Sequence, residues 1–396
     1  MRIGIEAQRL FRKRKFGMDI VALEIITELQ KIDRQNEYFI FVASGKNGIL
    51  KETTNFNIYE ISMKLYPVWE QIGLVKAAKK IKLDMLHFTA NTAPLWIKIP
   101  YILTLHDTIS MEQSLLLKQN KTWYQWFGNH YRYSVIPRAA SRSQHIITVS
   151  ETERQNIINH LNIAPEKISV VHNGVNDSFK PITDRSIINR FNEKYKLPEK
   201  FNLGIGNTEP RKNTINLLKA YQEYYSNSGE KKALVMLHND RNTLITQIQN
   251  AGLSEQVKQN IIALDYVDAI DMPVLFSEAD MFLYPSQREG FGIPILEAMA
   301  CGTPVITSNT SSMPEVGGNA ALYVSPFDVR NIAEQMLYLE THPEKCNEMI
   351  DAGLAHSKKF KWNNTAQNVL SVYQKTYAHF TQKNTKNMVK KKVEAL

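Results

Sequence analysis

A chain of 396 residues with 43% hydrophobic and 22% charged side chains has the balance of a globular protein and the length for two or three domains. No run reaches the roughly 18 apolar residues that a membrane span needs, and the opening Met1-Arg2-Ile3-Gly4-Ile5 enters a strand at once, without the regions of a secretory leader; a cytoplasmic protein is expected. Cys301 and Cys346 give neither a metal spacing nor a disulfide framework, and the +9 net charge sits mostly in residues 1–180, with 24 Lys+Arg against 16 Asp+Glu.

Strand-like runs alternate with helical ones throughout, the pattern of parallel sheets covered by helices. In the first half, strands are expected at 3–7, 38–43, 57–61, 85–88, 101–105, 146–149 and 168–171. Ile20, Leu23, Ile26 and Leu29 fall at helical spacing over 18–33. The loop before that helix, Arg9-Leu10-Phe11-Arg12-Lys13-Arg14-Lys15-Phe16-Gly17-Met18, holds four consecutive cations and one glycine, Gly17, at which backbone can approach a phosphate. His106-Asp107-Thr108 follows 101–105; the histidine is either held in one tautomer for chemistry or satisfies loop backbone. Trp123, Tyr124, Trp126 and Phe127 open a helical stretch that also carries Arg132, Arg138 and Arg142, a composition that fits a core-facing helix or a membrane interface. Ser150 and Glu153 read as a capping box. His172-Asn173-Gly174-Val175 reads as a tight turn and 176–184 as a linker.

The second half restarts with strands at 202–206, 233–237, 261–264, 281–284, 305–307 and 321–324. Arg211 and Lys212 stand at a strand end just before a helix from about Thr214, where the helix dipole disfavours cations unless they serve a ligand; Arg grips phosphate bidentately and Lys acts as a point charge. The stretch from Arg288 to Val305 is the most informative. Gly290 and Gly292 carry no Cβ, Pro294 suits the first turn of a helix, and Gly302 with Pro304 closes it, so free backbone amides face the loop. Glu289 and Glu297 flank that loop. They would repel a phosphate but suit vicinal hydroxyls, and a ligand with central phosphates and a diol at each end is a sugar nucleotide. The plainer readings are a first-turn helix carboxylate for Glu297 and a solvated partner of Arg288 for Glu289.

Glu-x7-Glu followed by Ala-Met-Ala-Cys-Gly-Thr-Pro-Val resembles the retaining GT-B glycosyltransferases of the family 4 group. The opening Met1-Arg2-Ile3-Gly4-Ile5-Glu6-Ala7 and Pro210-Arg211-Lys212-Asn213 resemble bacterial polysaccharide mannosyltransferases. The resemblance implies an α/β fold of two Rossmann-like, doubly wound domains facing a cleft: an acceptor-binding domain 1–180, a nucleotide-sugar-binding domain 181–361, a helix 362–380 returning to the first domain, and a basic tail 381–396. It implies catalytic roles for Glu289, Arg211, Lys212 and His106, with the donor held by Gly17, Glu297, Phe291, Gly292 and Ile293. Relatives usually carry a Gly-Gly pair before the first helix, where this chain keeps only Gly17. There is no Asp-x-Asp to hold a nucleotide's metal, so metal-independent transfer with retention is expected, with no cofactor. The expected partners are a nucleotide-sugar donor, with GDP-mannose leading over UDP-glucose, UDP-N-acetylglucosamine and GDP-fucose, and a glycan or lipid-linked acceptor. An anionic membrane surface, on the inner face of the cytoplasmic membrane, is a further candidate partner, and no nucleic acid is expected. A sugar-nucleotide epimerase of the same fold and a non-catalytic binder of anionic polymer are the alternatives.

Overall fold

The computed structural model describes residues 1–10, 17–45, 49–112, 123–238 and 240–394; within its helices, the side chains of 123–125, 383, 384 and 386–394 are not described. The basic run 12–15 and the side chains of Trp123 and Tyr124 therefore lie outside the described residues. The chain divides into two compact units, Met1–Gly174 with Trp362–Leu396, and Val175–Lys361. The division falls a few residues before the expected 180/181.

Among the described residues, the first unit holds seven parallel strands: β1 Arg2–Glu6, β2 Glu37–Ala43, β3 Phe56–Ile61, β4 Met85–Phe88, β5 Tyr101–Leu105, β6 His145–Thr148 and β7 Ile168–Val170. Their order is β3-β2-β1-β4-β5-β6-β7. Both faces are covered, which is why β2 and β4 are nearly continuous runs of buried apolar residues rather than alternating ones. The helix Gly17–Ile32 buries Val21, Ala22, Ile25, Ile26 and Leu29; of the expected stripe, Ile26 and Leu29 are core, Leu23 is partly buried and Ile20 is exposed, because the buried face is turned toward 21, 22 and 25.

The second unit repeats the plan with six strands: β8 Phe201–Gly206, β9 Ala233–His238, β10 Ile261–Leu264, β11 Ala279–Tyr284, β12 Val305–Ser308 and β13 Ala321–Val324, in the order β10-β9-β8-β11-β12-β13. In each sheet the winding direction reverses between the first and the fourth strand of the unit, β1/β4 and β8/β11. Such a switch point, beyond the carboxyl ends of the strands, is where open parallel sheets bind ligands.

The helix Trp362–Glu394 belongs to the first unit. Trp362, Ala366, Val369 and Tyr373 are buried at helical spacing, and the Tyr373 hydroxyl lies 2.7 Å from His87 Nδ1. The helix runs unbroken through 380, so the expected tail is continuous with it as far as Glu394. The Asn173-Gly174 turn is not formed. Val175 pairs with Lys361 instead, its N–H donating to Phe360 O at 3.0 Å. The chain turns a little later, where Phe179 N donates to Asn176 O. Ser150 does cap its helix, accepting from Glu153 N at 3.1 Å, while the Glu153 carboxylate accepts from Thr108 N.

Candidate active site

At the β8/β11 switch point, three charged side chains converge from two loops. β8 ends at Gly206, and a single 3-10 turn, Pro210–Lys212, presents Arg211 and Lys212 ahead of the helix Thr214–Asn227. β11 ends at Tyr284, and its loop brings Glu289 back toward them. Arg211 Nη1 lies 2.9 Å from Glu289 Oε2, and Lys212 Nζ lies 2.7 Å from Glu289 Oε1. Lys212 also donates to the Tyr284 hydroxyl at 2.8 Å, and Arg211 donates to Glu209 and to Arg288 O. Glu289 is 7% exposed. Burial alone would favour its neutral form; Lys212 and then Arg211 outweigh that and hold its pKa down to about 2. Burial likewise opposes the Lys212 charge, but Glu289 more than compensates and its pKa rises. Burial and the Glu289 charge push the Tyr284 phenol up to about 12. The site is therefore a fixed, desolvated pair of cations around one ionised carboxylate. Glu289 is no solvated surface partner of Arg288, because its carboxylate faces the other two cations.

Asn213, from the Pro-Arg-Lys-Asn motif, and two serines that no motif announces hold these loops in register. Asn213, with φ 62, donates to Pro285 O at 2.9 Å and Pro326 O at 2.6 Å, and accepts from Gln287 Nε2. Ser311 donates to Glu289 O, and Ser312 donates to Phe291 O at 2.7 Å. Phe291 is buried with its ring 6.1 Å from that of Phe360, so only its backbone is placed to meet a ligand. Gly292 has φ 112, a conformation open to glycine and strained for other residues, and it precedes the helix Ile293–Ala300 that Pro294 starts. Glu297 sits in the second turn of that helix, so the first-turn dipole reading does not hold. Its carboxylate makes no hydrogen bond or ion pair with the described residues, and burial pushes its pKa up to about 7.

The other two predicted residues lie in the first unit. His106 follows β5 and is buried, its Nε2 2.8 Å from Thr89 O and its N–H donating to Asn91 Oδ1 at 2.7 Å; burial lowers its pKa. Its Nε2 thus satisfies loop backbone, and the same bond fixes one tautomer of the ring. Gly17 is the first residue of its helix, and a Cβ there would meet nothing within 4 Å, so packing within the unit does not demand glycine.

Residues 186–356 match the family model described as glycosyl transferases group 1, and residues 17–179 match that of glycosyltransferase family 4. The chain belongs to this glycosyltransferase family. Among its relatives are the O-antigen chain mannosyltransferase B of Escherichia coli, 34% identical over 58% of this chain, and the O-antigen chain mannosyltransferase RfbU of Salmonella typhimurium, 29% identical over 61%. A third, the serotype-specific mannosyltransferase WbdA of Escherichia coli, is 28% identical over 74% of the chain. The matched regions span 60%, 65% and 37% of those relatives' own lengths. A glycosyltransferase from Rickettsia africae shares the fold with a TM-score of 0.70 at 18% identity, over 95% of this chain and 98% of that one. The Anabaena protein HepE, solved with UDP and glucose, does so with a TM-score of 0.71 at 17% identity, over 95% and 100%. The architecture is GT-B. In this family member, Arg211, Lys212, Glu289, Phe291, Gly292, Ile293 and Glu297 all fall within the group 1 region, and Gly17 and His106 within the family 4 region.

Proposed function

We propose that this chain transfers a hexose, with GDP-mannose the favoured donor, to a glycan or lipid-linked acceptor in cell-surface polysaccharide synthesis, with retention and without a metal. The observation that carries the reading is the Arg211–Glu289–Lys212 cluster at the switch point of the second unit. Two desolvated cations there suit a leaving nucleoside diphosphate, whose charge grows as the bond to the sugar breaks. Glu289, ionised and held by both cations, keeps them in place and has lone pairs left to accept sugar hydroxyls. With a pKa of about 2 it is no general acid. The acceptor hydroxyl attacks from the face the diphosphate leaves, and the departing phosphate takes its proton. Glu297, with no partner for its carboxylate among the described residues, is the acceptor group for the ribose diol. The mannosyltransferase names of the relatives support mannose; HepE, crystallised with UDP and glucose, is the reason to test other donors.

The test is a thermal-shift panel of GDP-mannose, GDP-fucose, UDP-glucose and UDP-N-acetylglucosamine. A ligand at 100 times its dissociation constant adds about 2.7 kcal/mol of stability. A shift by none of them would overturn the reading and leave a binder of anionic polymer; a sugar isomerised without transfer would leave an epimerase. EDTA should leave turnover unchanged.

An anionic membrane surface is the second proposed partner. Trp126 and Phe127 are half exposed on the helix Trp123–Arg142, which carries Arg132, Arg138 and Arg142 and no acidic residue. Its core contacts come from Val135, Ile136, Ala139 and Ala140, further along the helix. Among the described residues, no helix is long and apolar enough to cross a membrane. Docking predicts sedimentation with anionic but not neutral vesicles, lost in high salt and weakened by Trp126→Ser with Phe127→Ser. No binding to anionic vesicles at low salt removes this partner and leaves the enzyme reading intact.

A further inference from the structure

The first unit has its own switch point, and its side chains form a second polar cluster. β1 ends at Glu6, buried, whose Oε1 accepts from Gln8 N at 3.0 Å and whose Oε2 accepts from Thr89 at 3.2 Å. Thr89 follows β4, and its carbonyl is the partner of His106. Beside them is Glu70, fully buried, which accepts from the hydroxyls of Tyr66 at 2.7 Å and Thr92 at 2.5 Å, from the Tyr131 hydroxyl, and from Gln71 at 3.0 Å. Its two oxygens are fully engaged.

Arg9, three residues after Glu6, is the exception in this otherwise satisfied cluster. Its guanidinium lies over the Tyr66 ring at 5.1 Å from the centroid. It makes no ion pair and no hydrogen bond with the described residues, and its Nε is buried without a partner. Arg9 is half-buried and its charge acts on Glu6, but its Nε donor is buried without a hydrogen bond, and a guanidinium so placed presents a ready-made fork for an oxyanion. The neighbouring carboxylates do not supply that anion by contact: Glu70 is taken up by four donors, and Glu6 by Gln8 and Thr89. His106, neutral, does not compete for it. Arg9 also follows the first strand of its sheet, as Arg211 follows β8, so the topology delivers both to the ligand edge of their units.

We propose that Arg9 is a substrate-binding residue that takes a phosphate group of the donor or of the acceptor in a two-pronged hydrogen bond. The proposal rests on the glycosyltransferase reading for the identity of the substrates. Phosphate fits better than neutral sugar because the unmet donor is a guanidinium, whose paired hydrogen bonds to an oxyanion are charge-assisted. If the phosphate is the acceptor's, the acceptor is an anionic glycan or a sugar close to its phosphate link.

The experiment uses the full chain, wild type against Arg9→Gln and Arg9→Lys, with melting curves to show that each variant folds. The donor arm measures the dissociation constants of GDP and GDP-mannose by calorimetry. The acceptor arm measures mannose 6-phosphate against methyl α-mannoside with GDP saturating. Loss of a charged hydrogen bond should weaken the phosphate-bearing probe of one arm about 10–100-fold in Arg9→Gln, with Arg9→Lys between it and wild type. A loss confined to GDP and GDP-mannose assigns Arg9 to the donor phosphates; a loss confined to mannose 6-phosphate assigns it to the acceptor. Constants within twofold of wild type in both arms, or an equal loss for methyl α-mannoside, overturn the proposal while leaving the transferase reading standing. A wild-type chain that binds neither GDP nor mannose 6-phosphate overturns both.

Discussion

The two sheets reverse direction at equivalent places, yet the groups delivered there are in opposite electrical states. At β8/β11, Arg211 and Lys212 are paired, and the carboxylate between them is driven to ionise, with a pKa of about 2. At β1/β4, Arg9 closes no ion pair among the described residues, and burial raises the pKa of Glu6 and Glu70, with Arg9 lowering Glu6 only in part. Topology decides where polar side chains gather; the spacing of cation and anion decides what they do. In the second unit a charged device is complete before any ligand arrives. In the first, a cation and two reluctant carboxylates share the edge without closing an ion pair.

The largest effect should come from breaking the complete device. Lys212→Ala and Arg211→Ala are each expected to slow transfer by roughly 10²–10³-fold, as lost stabilisation of leaving-group charge. Each also leaves Glu289 buried with one cation instead of two, and breaking a buried pair costs about 3–5 kcal/mol at the upper end. Glu289→Ala should cut turnover with a smaller loss in GDP affinity. Steady-state kinetics with the donor found by the thermal-shift panel, beside calorimetry with GDP, separate the two quantities. A Glu289→Ala protein that keeps most of its turnover would refute its role.

That device was readable from the chain because its members sit on short motifs: Pro210-Arg211-Lys212-Asn213, and Glu289 with its glycines and Pro294. The strands were readable too, since buried parallel strands are continuous apolar runs; their ends shift by a residue or two where hydrogen bonding, not hydropathy, decides. The first unit's cluster was not readable. Glu70 and Tyr131 come from separate elements with no motif between them, and they meet only because the helix Trp123–Arg142 packs beside the residues of Trp69–Leu74. Asn173-Gly174 misled for the opposite reason: its local turn preference yields to the bridge between Val175 and Lys361.

A second prediction sharpens the chemistry of the complete site. Burial raises the Glu297 pKa to about 7, so the free protein ionises it only as pH rises through neutrality. The ribose diol is held better by the charged form. GDP affinity should therefore increase from about pH 6 to pH 8, by a few-fold up to tenfold, and Glu297→Gln should flatten that dependence and bind as the protonated wild type does. Calorimetry at fixed ionic strength measures it. A wild-type affinity that does not change over this range would remove Glu297 from the ribose.

The smallest effect tests whether the two switch points respond to pH in opposite directions. Glu289 has a folded pKa below its unfolded value; its stabilisation is present above about 4.5 and is lost as pH falls toward 2. Glu70 has a folded pKa above its unfolded value, because burial outweighs the hydrogen bonds it accepts; its contribution is full below about 4.5 and is lost as pH rises through the folded pKa. Glu70→Gln keeps the size and an oxygen acceptor, and its amide can donate to a hydroxyl of Tyr131 or Thr92. Above pH 4.5 the variant should therefore gain on the wild type as pH rises, a difference of order 1 kcal/mol and so about 2–4 °C in the melting midpoint. Below pH 4.5 the two should converge, and both should then lose stability together as Glu289 is protonated. Melting curves of both proteins from pH 3 to pH 8 check this. A Glu70→Gln difference that stays constant across the range would mean that the Glu70 pKa is the same in the folded and unfolded chain, and the contrast between the two switch points would then rest on Arg9 alone.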